Sequence, residues 1–462
     1  MKVLKFGGTS VGTVESLTNV KKIVESIEGP SVTVVSALGG LTDRLIATAR
    51  MAAEGDEAYK AEMEAIRLRH RNIIDGVVDE SKRELTHAIV AELLDNLSRL
   101  YDGLALIGDL PEKTLDAVVS FGERMSSHIV TAMIEGATRY DSMEFVKTEK
   151  WFNKNIADAT LTNELISKEF SGKNFQRAIV PGFISTDRDS GEITNLGRGG
   201  SDFTAALIAA ALDADVLEIW TDVDGFMTAD PRIIKGARVI PEMSFVESME
   251  LCSYGAKVIY PPTIYPVFHK NIPIKILNTF NPTAPGTFIS DRDSAKDSGI
   301  NDVTGISAVR NTSLITLRGA ITSNVATINT RTFNCLARKG VSVLLVSQPD
   351  HETGFSFALS NADAETARQT LLEEFAPELA DGSLECIEER DDLSTIAVVG
   401  DHLGSHSGIT ARMSNTLLRA GIEVAASCEG TSSTTVTLVI GRDDTDEAMR
   451  LIHSLFFPVT IS

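Results

Sequence analysis

Cysteine is scarce in this chain. Its four cysteines, Cys252, Cys335, Cys386 and Cys428, show neither the paired spacing of a zinc site nor a disulfide framework. Basic residues are also in short supply: 43 Lys and Arg stand against 64 Asp and Glu, for a formal net charge of −21. Such a field argues against nucleic acid or an anionic membrane surface as a partner. Long hydrophobic runs are missing too. The longest lies around Ala205–Leu212, far short of the roughly 20 residues a membrane helix needs. No basic, apolar and small-residue layout of a signal peptide opens the chain. The expectation is a reduced, cytoplasmic protein. Its acidity adds a constraint: if the substrates are anions, the cations near the site must be placed deliberately.

What is present reads as an α/β protein. At 462 residues, with 43% apolar and 23% charged residues, the chain has room for about three globular domains. Val3–Phe6, Ser31–Ser36, Ala178–Ser185, Asp215–Trp220 and Ile272–Asn278 are short apolar runs of the kind buried in a mostly parallel sheet. Helical spacing fills Val14–Ile27, nearly all of 42–107, and Thr114–Glu135. Alternation of this kind predicts a parallel sheet sandwiched by helices, with a helical lobe over about 42–135. Pro, Gly, Ser, Asp and Thr then mark a linker near Asn281–Asp302.

Beyond the linker the chain repeats itself. Leu314–Gly319 (LITLRG) and Thr395–Gly400 (TIAVVG) are one element at an offset of 81 residues, which also carries Leu336 onto Leu417, Gly340 onto Gly421 and Ala367 onto Ala448. Two ferredoxin-like modules are expected. The predicted division is a catalytic domain over 1–280, a linker over 281–302, and modules over 303–385 and 386–462. The last strand of the chain could complete the first module.

Chemistry-bearing stretches punctuate this pattern. In KFGGTS, Lys5 precedes Gly7 and Gly8, with Thr9 and Ser10 directly after the glycines. Bare N–H groups at a helix start suit a phosphate, with Lys5 as its cation; an ordinary capped turn is the other reading. The lysine precedes the glycines, which excludes a Walker loop. In GRGGSDFTAALIAAAL, glycines flank Arg198, and Ser201 and Asp202 begin an apolar helix. Asp202 can serve as a cap, but an arginine fork among glycines suits a carboxylate. TDVDGFMTADPR (Thr221–Arg232) lacks the ligand spacing and closing glutamate of a calcium loop. It is either a surface loop or a nucleotide-contacting loop at strand carboxyl ends. Lys257 in SYGAKVIYPP is a snorkelling lysine or a second phosphate cation. FGERMS sets Glu123 and Arg124 on a helix, ordinarily a solvated pair, and VSALGGLTDRL brings Ser36 and Thr42 to a Gly-Gly turn.

Together with PGFIS, these stretches resemble aspartate kinases of the amino-acid-kinase superfamily in order and spacing, over essentially the whole chain. The kinase portion of bifunctional aspartokinase–homoserine dehydrogenases is especially similar. The resemblance implies that ATP, with Mg²⁺ riding on its phosphates, phosphorylates the side-chain carboxylate of L-aspartate. The product is 4-phospho-L-aspartate, first on the route to lysine, threonine and methionine. By motif position, it implies that Lys5 stabilises the transferring phosphoryl group beside the N–H groups of Gly7, Gly8 and Gly199. Arg198 grips the substrate α-carboxylate and Glu123 its α-ammonium, while Ser36, Thr42 and Ser201 add contacts. Asp202 orients Lys5 or the reacting groups. Ser10, Thr221, Asp222, Phe226, Arg232 and Lys257 line the nucleotide site. No dedicated metal-ligand set is expected.

The doubled module resembles paired ACT domains, which bind end-product amino acids and associate between subunits. A homodimer or larger homo-oligomer with an amino-acid effector is therefore implied. Gln348 stands where threonine-regulated relatives carry glutamine, whereas its counterpart Glu429 and the loop Ala320–Thr332 depart from that pattern. Threonine is the first expected effector and lysine the second. Two rivals use the same motifs: a sibling kinase for another carboxylate or carbamate, and a silent amino-acid sensor. Glu123 argues against an N-acylated substrate, and intact Lys5, Arg198, Asp202 and Lys257 argue against the sensor.

Overall fold

A computed structural model describes residues 1–151, 154–291, 303–319, 325–347, 354–401, 403, 408–429 and 434–458. The chain forms two compact units: Met1–Phe226 with Val258–Asp291, and Met227–Lys257 with the chain beyond Asp291.

In the first unit, strand Lys2–Phe6 lies at the centre of a sheet. It pairs in parallel with Ser31–Val35 on one side and Val216–Thr221 on the other. Arg177–Pro181 and Ala137–Arg139 extend one flank in parallel. Ile274–Asn278 extends the other in parallel, and Thr287–Ser290 adds to it antiparallel. The central strands are apolar and buried along nearly their whole length, because helices cover both faces. A smaller sheet holds Lys147–Trp151, Lys154–Ala157, Ile184–Asp187 and Ile193–Asn195.

The helical region divides into Leu41–Ala53, Ala58–Val77, Glu80–Ile107 and Glu112–Met133. Gly55, at φ 75°, supports the first break, and Asp79 stands at the second. Leu45, Tyr59, Ile66, Leu94 and Tyr101 share one apolar core with Leu4 and Phe6 of the central strand, so the lobe is continuous with the sheet's packing. Helix Gly200–Ala211 packs on the central strand. Its small side chains are buried almost all round, which explains a sequence apolar on every face.

The second unit holds one antiparallel sheet. Its order is Val343–Ser347, Gly354–Ser360, Gly305–Gly319, Leu384–Val399, Thr435–Gly441 and Val424–Glu429. Helices Val325–Arg338 and Asn361–Glu374 accompany one repeat, and Ile409–Arg419 and Thr445–Phe456 the other. The expected cut at 385/386 falls inside the long strand Leu384–Val399. That strand and Gly305–Gly319 each serve both halves: Leu384–Arg390 pairs with Leu314–Gly319, whereas Thr395–Val399 pairs with Gly305–Val309. Val303 and Ile306 accordingly lie in the core of the second repeat. The strand proposed at the chain's end falls on 459–462, outside the described residues.

Met227–Lys257 belongs to the second unit, where Ala229 and Ile234 join the second repeat's core and Thr228 hydrogen-bonds His453 at 3.1 Å. All four cysteines are free. Among the described residues, no helix is long and apolar enough to cross a membrane.

Candidate active site

The carboxyl ends of the central strands open onto a cavity of about 310 Å³ in the first unit. Lys5 lies in register with Val34 and Ile219 of the flanking strands, which fix its backbone on both sides. Its ammonium lies 2.6 Å from Asp202 Oδ1, and both side chains are nearly buried, at 11% and 13% exposure. Asp202 sits in the first turn of helix Gly200–Ala211, where the helix dipole favours an anion.

Two backbone turns complete this end. Gly8 and Gly39 lie back to back, and a Cβ on Gly39 would stand 2.9 Å from the Gly8 carbonyl oxygen. Only glycine permits that approach. Arg69, from helix Ala58–Val77, clamps the turns from behind by donating to the carbonyls of Gly12 at 3.1 Å and Gly39 at 2.8 Å. Ser126 donates to the Ser36 carbonyl at 2.7 Å. That bond ties the helix bearing Glu123 to the strand end bearing Ser36.

Glu123 is not a solvated surface group. It is 4% exposed, and its Oε2 has no hydrogen-bond partner. Burial pushes its carboxyl up to about 8, against the pull of the Ala37 backbone N–H and the Lys5 charge. Its sequence neighbour Arg124 instead lies over the Phe121 ring, 4.7 Å from the centroid. A buried carboxyl held above its usual range is ready to ionise when a cation arrives.

The cavity brings together Lys5, Gly8, Ser36, Thr42, Glu123, Arg198, Gly199, Ser201 and Asp202. Arg198 is exposed, and among the described residues no carboxylate pairs with it. Gly199 has φ 69°, and Tyr260 packs so closely that a Cβ would meet its Cβ at 2.2 Å. Gly7 stands beside the Lys5 ammonium, 3.4 Å from where its own Cβ would be.

The nucleotide candidates are less converged. Ser10 is fully buried and hydrogen-bonds Thr279 at 2.7 Å, so it holds the turn from inside. Phe226 is 1% exposed and forms core, its N–H donating to Thr287 Oγ1 at 2.8 Å. Thr221 ends strand Val216–Thr221 and donates to the carboxylate of exposed Asp222 at 3.3 Å. Arg232 forks onto Asp230 at 2.7 Å, and it and exposed Lys257 belong to the second unit. Of the effector candidates, Gln348 lies outside the described residues, and Glu429 accepts from Thr410 Oγ1 at 2.5 Å.

Sequence reasoning missed Arg69 and Phe183. Arg69 sits among other charges on an amphipathic helix, where nothing marks it as inward-facing. Phe183, within PGFIS, lines the cavity at φ 66°, an unusual conformation for a bulky residue. The glycine before it is the signal: a Cβ on Gly182 would collide with Ser201.

Known proteins match this architecture. The amino acid kinase family profile covers residues 1–278, and the ACT domain profile covers 315–375 and 396–456. The bifunctional aspartokinase/homoserine dehydrogenase of Haemophilus influenzae is 33% identical over 467 residues, covering 99% of this chain and 56% of that protein. The chain spans about half the length of the first curated relatives it matches. Aspartokinase 3 of Arabidopsis thaliana, a chloroplast protein, is 29% identical, with 81% of its length covered. E. coli aspartokinase III in complex with aspartate and ADP (R-state) superposes with a TM-score of 0.85 at 28% identity, covering 99% of this chain and 100% of that one. Its complex with lysine and aspartate (T-state) gives 0.75, also at 28% identity, covering 99% of each chain.

Proposed function

The chain belongs to the amino acid kinase family, and from that premise we propose that it is an aspartate kinase, catalysing the kinase step of the aspartate pathway toward lysine, threonine and methionine. A β-carboxylate oxygen of L-aspartate attacks the γ-phosphorus of ATP. The bond from that phosphorus to the β,γ-bridging oxygen breaks, and 4-phospho-L-aspartate and ADP form. No proton must be removed, since a free aspartate side chain with a reference pKa of about 3.9 is already ionised at neutral pH. The barrier lies in bringing anions together, so positioned cations and N–H donors carry the catalysis.

One observation supports this reading above the others. Glu123, buried without a hydrogen-bond donor on Oε2, and unpaired Arg198 line the same cavity as the Lys5–Asp202 pair. An α-amino acid supplies the missing partners at once, its ammonium to Glu123 and its carboxylate to Arg198. Ser36, Thr42 and Ser201 add hydrogen bonds. Lys5 follows the transferring phosphoryl group, Asp202 orients Lys5, and the backbone N–H groups of Gly8 and Gly199 complete the anion cradle, while the Gly7 N–H donates to the Trp220 carbonyl at 3.3 Å and holds the turn to the neighbouring strand. Thr221 and Asp222 are our proposed nucleotide contacts in the first unit, with Ser10 and Phe226 as buried supports of the same unit. ATP enters as its Mg²⁺ complex, in which the ion neutralises phosphate charge. The acidic groups lining the cavity are Asp202, already paired, and Glu123, which suits an ion held mainly by phosphates.

The relatives support regulation as well. The tandem ACT modules bind a pathway amino acid, threonine first and lysine second, with Gln348 and Glu429 as contacts. The modules also join subunits into a homodimer or larger assembly in the cytoplasm. An effector with a few kcal/mol of preference for a less active arrangement suffices. ADP release with aspartate, glutamate and N-acetylglutamate tests the proposal. Turnover with aspartate alone supports it; turnover with another acceptor instead, or with none, refutes it.

A further inference from the structure

The cavity presents Arg198 and Glu123 to opposite charges of one small substrate, and the two reach it from separate elements. Arg198 belongs to a glycine turn, with Gly197 at φ 70° and Gly199 at φ 69°. Among the described residues it has no partner of its own. Its place is therefore set by what holds the turn.

The turn is held at its entrance by Asn195, the last residue of strand Ile193–Asn195. The Asn195 side-chain oxygen accepts the Gly197 N–H at 2.9 Å. Its amide nitrogen donates to Asp116 Oδ1 on helix Glu112–Met133. A carboxylate only accepts and an N–H only donates, so Asn195 has a single orientation that serves both. Asn155 donates to the second Asp116 oxygen at 3.4 Å. Farther along the turn, Leu196 donates to the Phe183 carbonyl at 2.9 Å and Gly200 to the Gly197 carbonyl at 3.0 Å.

Asp116 and Glu123 are seven residues apart on the same helix. That separation is close to two turns, so both carboxyls project from one face. One rigid helix thus carries the ammonium partner directly and reaches the carboxylate partner through Asn195. We propose that Asp116 and Asn195 are positioning residues that fix the Arg198 turn relative to Glu123, setting the charge spacing at which the cavity accepts an α-amino acid. The inference rests on the aspartate kinase reading and adds its specificity device. Neither residue touches the reacting atoms.

The test is steady-state kinetics of the full chain, varying aspartate and ATP separately, on wild type, Asn195→Ala, Asp116→Ala, their double variant, and Asp116→Asn. Loss of a charge-assisted hydrogen bond predicts an aspartate KM raised about tenfold or more. The ATP KM should stay within about twofold. Since the residues act in one chain, the double variant should be no worse than the worse single variant. Asp116→Asn keeps an acceptor for the Asn195 amide and should return the aspartate KM to within about threefold of wild type. An unmoved aspartate KM, equal rises in both KM values, or additive single effects would overturn the inference. So would an Asp116→Asn no better than Asp116→Ala. A wild type that turns over no aspartate overturns the parent reading as well; a wild type active on aspartate with unmoved variants overturns this inference alone.

Discussion

Glu123 carries a consequence that titration can read. With its carboxyl held at about 8 by burial, the empty site is mostly protonated at neutral pH. An ammonium beside it lowers that value, so aspartate binding releases a proton. Calorimetry of aspartate binding near pH 7, in two buffers of different ionisation heat, should show release approaching one proton, falling toward none above about pH 9. Zero release near neutrality contradicts the assignment. The same shift governs stability. The folded value lies above the unfolded 4.5, so the contribution of Glu123 is fully present below about pH 4.5 and lost as pH rises through about 8. Glu123→Gln should therefore gain thermal stability over wild type as pH rises across that window. A Tm difference that stays flat with pH contradicts it.

Lys5 and Asp202 separate rate from stability. Lys5→Met should lower kcat by about a hundredfold to a thousandfold, and it leaves a buried carboxylate without its cation, which also destabilises the fold. Adding Asp202→Asn should recover much of the Tm and none of the rate. If the double variant regained activity, Lys5 would not be acting on the phosphoryl group. Little of this arrangement was legible in Glu123 itself, because a helix sequence does not say which glutamate faces inward. Lys5 was more readable, since its place inside an apolar strand before two glycines demanded a reason.

At the scale of elements, the glycine turns and the helix behind them form one construction. Gly39→Ala would push a methyl against the Gly8 carbonyl, which belongs to rigid backbone. It should cut kcat/KM about a hundredfold through displacement of the cradle. Arg69→Ala loosens the same turns from the rear and should cost about tenfold, with a Tm lower by a few degrees. Wild-type kinetics in both variants would show that the turns are not part of the site. The strands, a mostly parallel sheet and the repeat could be read from apolar runs and the 81-residue offset, whereas the order of the strands could not. The two breaks in the helical stretch had local signals, Gly55 and Asp79, that a long amphipathic pattern concealed. The exchange of strand segments between Gly305–Gly319 and Leu384–Val399 had no such signal. Each strand reads as a single run, and only its partners reveal that it serves two modules. For the same reason Ser10 and Phe226 looked like ligand contacts while their side chains face the interior.

For the whole molecule, the proposed function is a kinase for a small amino acid governed by another amino acid, working against the repulsion that a net charge of −21 sets up toward anionic substrates. Millimolar threonine, or lysine if threonine fails, should inhibit ADP release; insensitivity to both contradicts the regulatory part. The kinase itself is best judged by its product. An acyl phosphate reacts with hydroxylamine, so the chain incubated with Mg²⁺, ATP, L-aspartate and hydroxylamine should accumulate aspartyl β-hydroxamate in step with ADP. Mass spectrometry should detect that product with wild type and lose it almost entirely with Lys5→Met. ADP formed without the hydroxamate, or the hydroxamate formed undiminished by Lys5→Met, contradicts an aspartate kinase working through Lys5.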